Sequence, residues 1–436
     1  MRTPNPFNGL PNARTVWAWG MYDLANQSFT LLVNTLLFAV FFKEVIVGEP
    51  RRGDALWAVA FSSSMLLVVV LSPILGALAD ARGIRKQILF ISGYACAALT
   101  VALALTGADA IWLAMLLYIP ANFCYQIGEN FLASFLPSVS TQRNIGRVSA
   151  TGWAMGYIGA LLLLVIVAVT MQTFGLGDPA DWSPFFVMAG LWFILNMTPS
   201  LVMLREPPTE RPVHNTGTIV GEAFARLKHT LDSAGDFRQL VRFLIAFLIF
   251  GMGVQVIVAF AAIIAKDFGF NTTKLVLYVL QITVTAGAAA IATALFQDRI
   301  GARATVLGYL GVWMVSAAGL LTISLTPGVG EWAFWVVGNG IGIGLGGIGT
   351  ASRSMVGRFT PAHKTAEFFG LWGMVFKLAG AIGPLSFGQL KAWIGMSASL
   401  LLLFAFFAVG FVLTRSVDEL AGIRAARRAE RALRAG

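Results

Sequence analysis

One charged turn occurs twice in this chain, and a duplication narrows the possible folds more than any single residue does. Gly76-Ala-Leu-Ala-Asp80-Ala-Arg82-Gly83-Ile-Arg85-Lys86 closes one long apolar stretch, and Ala294-Leu-Phe-Gln-Asp298-Arg299-Ile-Gly301-Ala-Arg303 closes another. Asp80 and Asp298, Gly83 and Gly301, Arg85 and Arg303 fall in register at one constant offset, close to half the chain. A tight charged turn repeated in this way between membrane-length segments implies a duplicated helical bundle.

Composition agrees. Hydrophobic residues make up 57% of the 436 residues and charged residues 12%, with a mean hydropathy of +0.76. A soluble domain carries roughly 25% charged residues, so a soluble fold is excluded. A spanning helix needs about 20 mostly apolar residues, which leaves room for twelve spans and short loops. The apolar runs are continuous and lack the short alternating segments of a barrel, so the expected class is an all-α membrane protein. The net charge of +10 resides in loops and tails and does not point to nucleic acid. No cleavable signal is read at the start. Cys96 and Cys124 lie inside apolar spans, where neither a disulfide nor a metal framework is expected.

Spans are predicted near 15–42, 55–79, 86–106, 110–135, 147–172, 184–204, 241–265, 273–297, 303–325, 331–352, 366–390 and 396–415. They group into an N-terminal bundle (1–204) and a C-terminal bundle (241–415), joined by a polar linker (205–240) and followed by a basic tail (416–436). The linker opens with Arg205-Glu-Pro-Pro-Thr-Glu-Arg-Pro212 and offers a short surface helix from Gly221 to Leu231. With both termini cytoplasmic, only Lys43, Arg51, Arg52, Lys266, Lys274 and Lys391 fall on the far side and Lys377 within a span. The remaining basic residues sit inside, as the positive-inside rule requires. Arg424, Arg427, Arg428, Arg431 and Arg434 place the tail against anionic headgroups or anchor the topology.

Charge inside a span costs roughly 2.5–3.5 kcal/mol or more, so it points to function. Asp23 leads a stripe on the first span with Asn26, Gln27, Thr30 and Asn34. Glu129 lies toward the end of the fourth, with Asn122 and Gln126 on the same face and Asn130 adjoining. The two stripes are expected to face a shared interior. Lys377 sits mid-way along the eleventh span between Gly373 and Gly380. At 1.5 Å per residue, Asp23 lies about 12 Å and Lys377 about 18 Å from the cytoplasmic ends. These residues either exchange a proton and contact substrate, or form a fixed buried ion pair. Gly344-Leu-Gly346-Gly-Ile-Gly349 is a formal dinucleotide motif, but no strand precedes it, and it reads as a close-packed helix. His214, His229 and His363 lack ligand spacing, so neither metal nor cofactor is expected, and no nucleophile–base pair suggests an enzyme.

The duplicated turn resembles the loop between the second and third helices of major facilitator superfamily transporters, with its echo between the eighth and ninth. The resemblance implies two pseudo-symmetric six-helix bundles, a monomer, and alternating access driven by a gradient. It also implies a gating role for Gly76, Asp80, Gly83, Arg85, Asp298, Arg299, Gly301 and Arg303, with the aspartate engaging the start of a helix in the opposite half. Ala81 stands where that family carries a basic residue.

Two further stretches, Trp17-Ala-Trp-Gly-Met-Tyr22-Asp23-Leu-Ala25-Asn26-Gln-Ser28-Phe29 and Arg353 through Glu367-Phe368-Phe369-Gly370, Lys377 and Gly383-Pro384, are similar to the vacuole-effluxer branch. Asp23, Asn26, Lys377, Arg353 and Glu367 match its pattern, and Arg353 and Glu367 are expected to join the gating residues. Leu24 stands where the branch carries tryptophan. This branch implies export of an amino acid or related zwitterion. With no ATPase motif in the sequence, an ion gradient, expected to be protons, or the solute's own gradient drives transport. The expected location is a bacterial inner membrane. A permease for lipophilic, drug, lipid or sugar cargo is the alternative, and a non-transporting scaffold or sensor the alternative of another class.

Overall fold

The computed structural model describes residues 12–141, 144–206, 237–326, 328–361 and 364–435, together with 221, 228 and 232. Apart from Gly221 and Lys228, the surface helix expected at 221–231 lies outside the described residues. Every regular element among them is helical.

Twelve helices are long and apolar enough to cross a bilayer. In chain order, spans one to six are Ala13–Val47, Pro50–Arg82, Arg85–Leu105, Ile111–Ser134, Arg147–Phe174 and Ser183–Met203. Spans seven to twelve are Arg238–Asp267, Thr272–Gln297, Ala302–Leu325, Glu331–Phe359, Glu367–Trp393 and Met396–Arg415. A tail helix, Glu419–Ala435, comes after them.

All twelve expected spans are present, but several run past their apolar segments. The second begins at Pro50 because proline suits the first helical turn, where its missing N–H is no loss. It therefore carries Arg51, Arg52 and Asp54 into the helix. The tenth extends through Ser352, Arg353 and Ser354 to Phe359. Apolar length measures the hydrocarbon a helix crosses; the helix itself ends where its backbone finds other partners.

The first span departs further from expectation. Phe29–Leu36 and Phe42–Val47 adopt the wider π-helical turn. Each wide turn shifts the phase of the residues beyond it, so a polar stripe spaced for an unbroken α-helix does not continue straight past Phe29.

The chain forms two compact units. The first comprises Met1–Gly53, Ser63–Ala223 and Phe260–Val276; the second comprises Asp54–Ser62, Phe224–Ala259 and Leu277–Gly436. The first unit is centred on span one, where Val16, Trp19, Phe29, Leu32, Phe38 and Phe42 are buried. Trp19 Nε1 donates to the Leu132 carbonyl at 2.9 Å, Tyr22 Oη to that of Leu89 at 3.2 Å, and Ser200 Oγ to that of Ala18 at 2.5 Å. These bonds tie span one to spans four, three and six.

In the second unit, the glycine-rich tenth span is the close-packed element. A Cβ on Gly346 would lie 1.9 Å from the Ala286 carbonyl oxygen, and one on Gly342 would lie 2.7 Å from that of Ile282. Gly344 faces Trp313 and Gly347 faces Tyr309 across the other flank. Small residues let backbones approach where lipid offers no hydrophobic drive to association. The Gly344–Gly349 run lies wholly inside this helix, as its packing reading requires.

Gly346→Ala is expected to cost about 1–3 kcal/mol through overpacking and to lower the thermal unfolding midpoint in detergent. Gly349→Ala, where nothing lies within 4 Å of the added atom, should leave it unchanged.

Candidate functional site

The polar stripes of spans one and four meet within the first unit. Asn34 Nδ2 donates to Asn122 Oδ1 at 2.9 Å, and Tyr118 Oη donates to Asn34 Oδ1 at 2.8 Å. Asn122 Nδ2 donates to Ser64 Oγ of span two at 2.6 Å. This string is sealed, for Asn34 is 2% exposed and Asn122 and Tyr118 are fully buried. One turn along, Thr30 Oγ1 donates to Tyr125 Oη at 2.8 Å, and Phe29 stacks on Tyr125 with ring centroids 5.1 Å apart. Asn130 Nδ2 donates to Ser72 Oγ at 3.1 Å.

Charge enters at the other end of the string. Asn26 Nδ2 donates to Glu129 Oε1, and Gln27 Nε2 lies 3.5 Å from Asn26 Oδ1. Asn26 and Gln126 are buried, whereas Asp23, Gln27, Thr30, Tyr125 and Glu129 are half-buried. Asp23 and Gln27 lie over small residues of span five. A Cβ on Gly152 would sit 3.3 Å from Asp23 Oδ2, and one on Gly156 would sit 3.4 Å from Gln27 Nε2. The first unit thus brings together two carboxylates, three side-chain amides and a phenol. Asn34 and Asn122 are spent on joining helices, while Asp23, Gln27 and Glu129 retain exposed surface.

In the second unit, Lys377 is half-buried on span eleven. The preceding turns carry Trp372 and Phe376, which stack on Phe247 of span seven at 5.4 and 5.7 Å between centroids. Gln255 Nε2 donates to the Phe376 carbonyl at 3.3 Å, fixing span seven against the same stretch. The Arg353 guanidinium lies 5.7 Å from the Trp372 ring centroid. Glu367 stands half-buried in the first turn of the helix Thr365–Trp393, where the backbone dipole favours negative charge.

Both copies of the duplicated turn are built on glycine with positive φ, +64° at Gly83 and +90° at Gly301, a conformation costly for any other residue. Gly76 borders open space. Asp80 pairs with Arg85 across its own turn at 2.7 Å, while Arg82 and Arg299 are exposed. The Asp298 side chain lies outside the described residues.

Sequence reasoning missed the carboxylates that cap the helices these turns lead into. Glu206, just past span six, accepts from the Arg85 and Lys86 backbone N–H groups, both at 2.7 Å. Glu419, just past span twelve, accepts from those of Ala302 at 3.2 Å and Arg303 at 3.0 Å. It also pairs with Arg358 at 2.8 Å, while Arg303 Nη2 donates to the Arg415 carbonyl at 2.5 Å. The available signal was an acidic residue within four positions of the end of each bundle's last span.

Three ion pairs at the far ends of spans were missed as well. Lys43 meets Asp267 at 2.6 Å in the first unit, with Lys266 3.5 Å from Glu44 beside them. In the second unit Lys391 meets Asp54, both side chains 5% exposed. These lysines read as loop charges only because the helices were drawn too short.

Known proteins share both the sequence pattern and the architecture. The family of Atg22-like vacuole effluxers matches residues 12–427. The chain belongs to that family. It is 25% identical over 413 residues to the uncharacterized MFS-type transporter YxiO of Bacillus subtilis, covering 92% of this chain and 94% of that one. Autophagy-related protein 22 of Yarrowia lipolytica is 23% identical over 294 residues, which span 61% of this chain and 49% of the relative. Among solved structures, a D-xylose–proton symporter superposes with a TM-score of 0.69 at 15% identity, covering 95% of this chain and 96% of that one. The nucleoside transporter NupG superposes with a TM-score of 0.67 at 13% identity, covering 94% and 99%. At that identity the likeness establishes the fold, which is that of major facilitator transporters: twelve spans in two pseudo-symmetric six-helix bundles.

Glu206→Ala and Glu419→Ala should each cost about 1–2 kcal/mol, the range for a lost helix cap. Asp80→Ala, which breaks an exposed pair, should cost less than about 1 kcal/mol. Thermal unfolding of the three variants in one detergent checks the order.

Proposed function

We propose that this major facilitator transporter exports a small polar solute, an amino acid or related zwitterion, by alternating access coupled to protons. The observation that carries the reading is the pair of half-buried carboxylates, Asp23 and Glu129, set among Asn26, Gln27 and Tyr125 in membrane-spanning helices. A carboxylate held in a span at such cost is kept for what it binds or releases. Asp23, half-buried over the glycines of span five, is taken as the proton-exchanging group. Glu129 is held by the Asn26 amide and orients the cluster.

Lys377 is the cationic counterpart in the second unit. Its chain neighbours Trp372 and Phe376 form an apolar, aromatic wall suited to a side chain or a methylene backbone. Taken by itself, Lys377 suits an anionic group of a cargo; the acidic cluster of the first unit, taken by itself, suits an ammonium group. Nothing in this scheme requires a metal or an organic cofactor. The polar cluster supports a polar cargo over a lipophilic one. On this reading both termini are cytoplasmic, which is what the distribution of lysine and arginine supports. Export follows the family's description as vacuole effluxers; an amino acid as cargo is our own reading of the charged groups.

Reconstituted protein should support counterflow of at least one labelled amino acid. Asp23→Asn should abolish uptake driven by a pH gradient while sparing counterflow, the behaviour of a lost proton carrier. Lys377→Ala should weaken both by tenfold or more, since a desolvated charge partner is worth over about 1.4 kcal/mol. Absence of counterflow for every amino acid tested would overturn the proposed cargo. Unchanged pH-driven uptake in Asp23→Asn would overturn its role.

A further inference from the structure

We infer that the tail helix and the end of span ten form a binding site for an anionic phospholipid headgroup. A cavity of about 360 Å³ is lined by Gly357, Arg358, Thr360, Ile423, Ala426, Arg427 and Glu430, all within the second unit. Its walls come from two helices locked together. Gly422 and Ala426, one turn apart, form the buried face of the tail helix, and a Cβ on Gly422 would lie 2.4 Å from a Phe359 ring carbon. Glu419 reaches Arg358 from the first turn of the same helix.

The opposite face of that helix is basic. Arg424, Arg427, Arg428 and Arg431 are exposed and recur at helical spacing, with Leu420 exposed one turn before them. Span ten already covers the apolar face of this helix, so what the helix offers a membrane surface is its stripe of cations, which anionic headgroups attract. Span twelve ends at Arg415 and this helix begins four residues later at Glu419, so the proposed site sets the stripe close to the headgroups.

The chemistry of the cavity selects the occupant. Arg427 offers a phosphate the planar, multi-donor contact that lysine cannot. Glu430 would repel a bare phosphate ion but can accept hydrogen bonds from the hydroxyls of a glycerol headgroup. A phosphodiester bearing hydroxyls, as in phosphatidylglycerol, fits both walls, whereas a quaternary ammonium headgroup would crowd Arg427 and Arg358. Because Arg358 also holds the carboxylate that caps span nine, a lipid seated here borders the second copy of the duplicated turn.

The test uses the full-length protein in a neutral detergent. Fluorescent phosphatidylglycerol is titrated in and competed with unlabelled phosphatidylglycerol, phosphatidylcholine or inorganic phosphate. Phosphatidylglycerol should compete and phosphatidylcholine should not. Arg427→Gln should lower probe affinity about fivefold, and substitution of Arg424, Arg428 and Arg431 by Gln should lower it at least as much again. Arg427→Lys should recover part of the loss, which separates charge from helix damage. Equal competition by phosphatidylcholine, or undiminished affinity in Arg427→Gln, would overturn the site. Displacement by millimolar phosphate would overturn the lipid as occupant and leave a free-anion site.

Discussion

Inside a bilayer, every polar group must find its partner within the protein, because no water stands ready to replace one that is lost. That constraint organises both units. It explains why Asn34 and Asn122, which look like ligand contacts on a helical wheel, are joined to Tyr118 and Ser64 in a sealed string. It explains why Lys391 and Asp54 enter the interior together. A buried pair adds little net stability over apolar packing, yet removing one member strands the other, at about 3–5 kcal/mol. The same logic makes the half-exposed members of the cluster informative. Asp23, Gln27 and Glu129 keep access that structural polar groups give up.

The twelve spans could be read in the sequence because hydrocarbon thickness imposes a length that few other constraints mimic. The first and fourth spans were rightly expected to share a polar interior, since lipid would penalise two such stripes. Helix ends were harder to place. The helices run past their apolar segments, to Pro50 and Phe359 for example, and the ion pairs of Asp54 and Lys43 sit in such overhangs. Asn34 was expected on one stripe with Asp23, but the π-helical stretch from Phe29 shifts the phase, and no single residue in that stretch announces it. The capping carboxylates were hidden for another reason. Glu206 and Glu419 act on residues more than a hundred positions away, and a pattern search along the chain sees only neighbours.

The two copies of the charged turn have diverged in a way that shows which part of the repeat is structural. Both keep the glycine, and both end with a carboxylate across the first backbone N–H groups of the next helix. Four N–H groups at a helix start lack intrahelical partners, so a helix that begins at the membrane surface needs this cap whatever its bundle transports. What differs is the carboxylate's origin. In the first unit it comes from the start of the linker, in the second from the tail helix, where it is also held by Arg358. The start of the linker and the start of the tail therefore do the same job for the two copies of the turn. In the second copy the cap continues into a basic amphipathic helix, which ties that cap to a surface that membrane charge can reach.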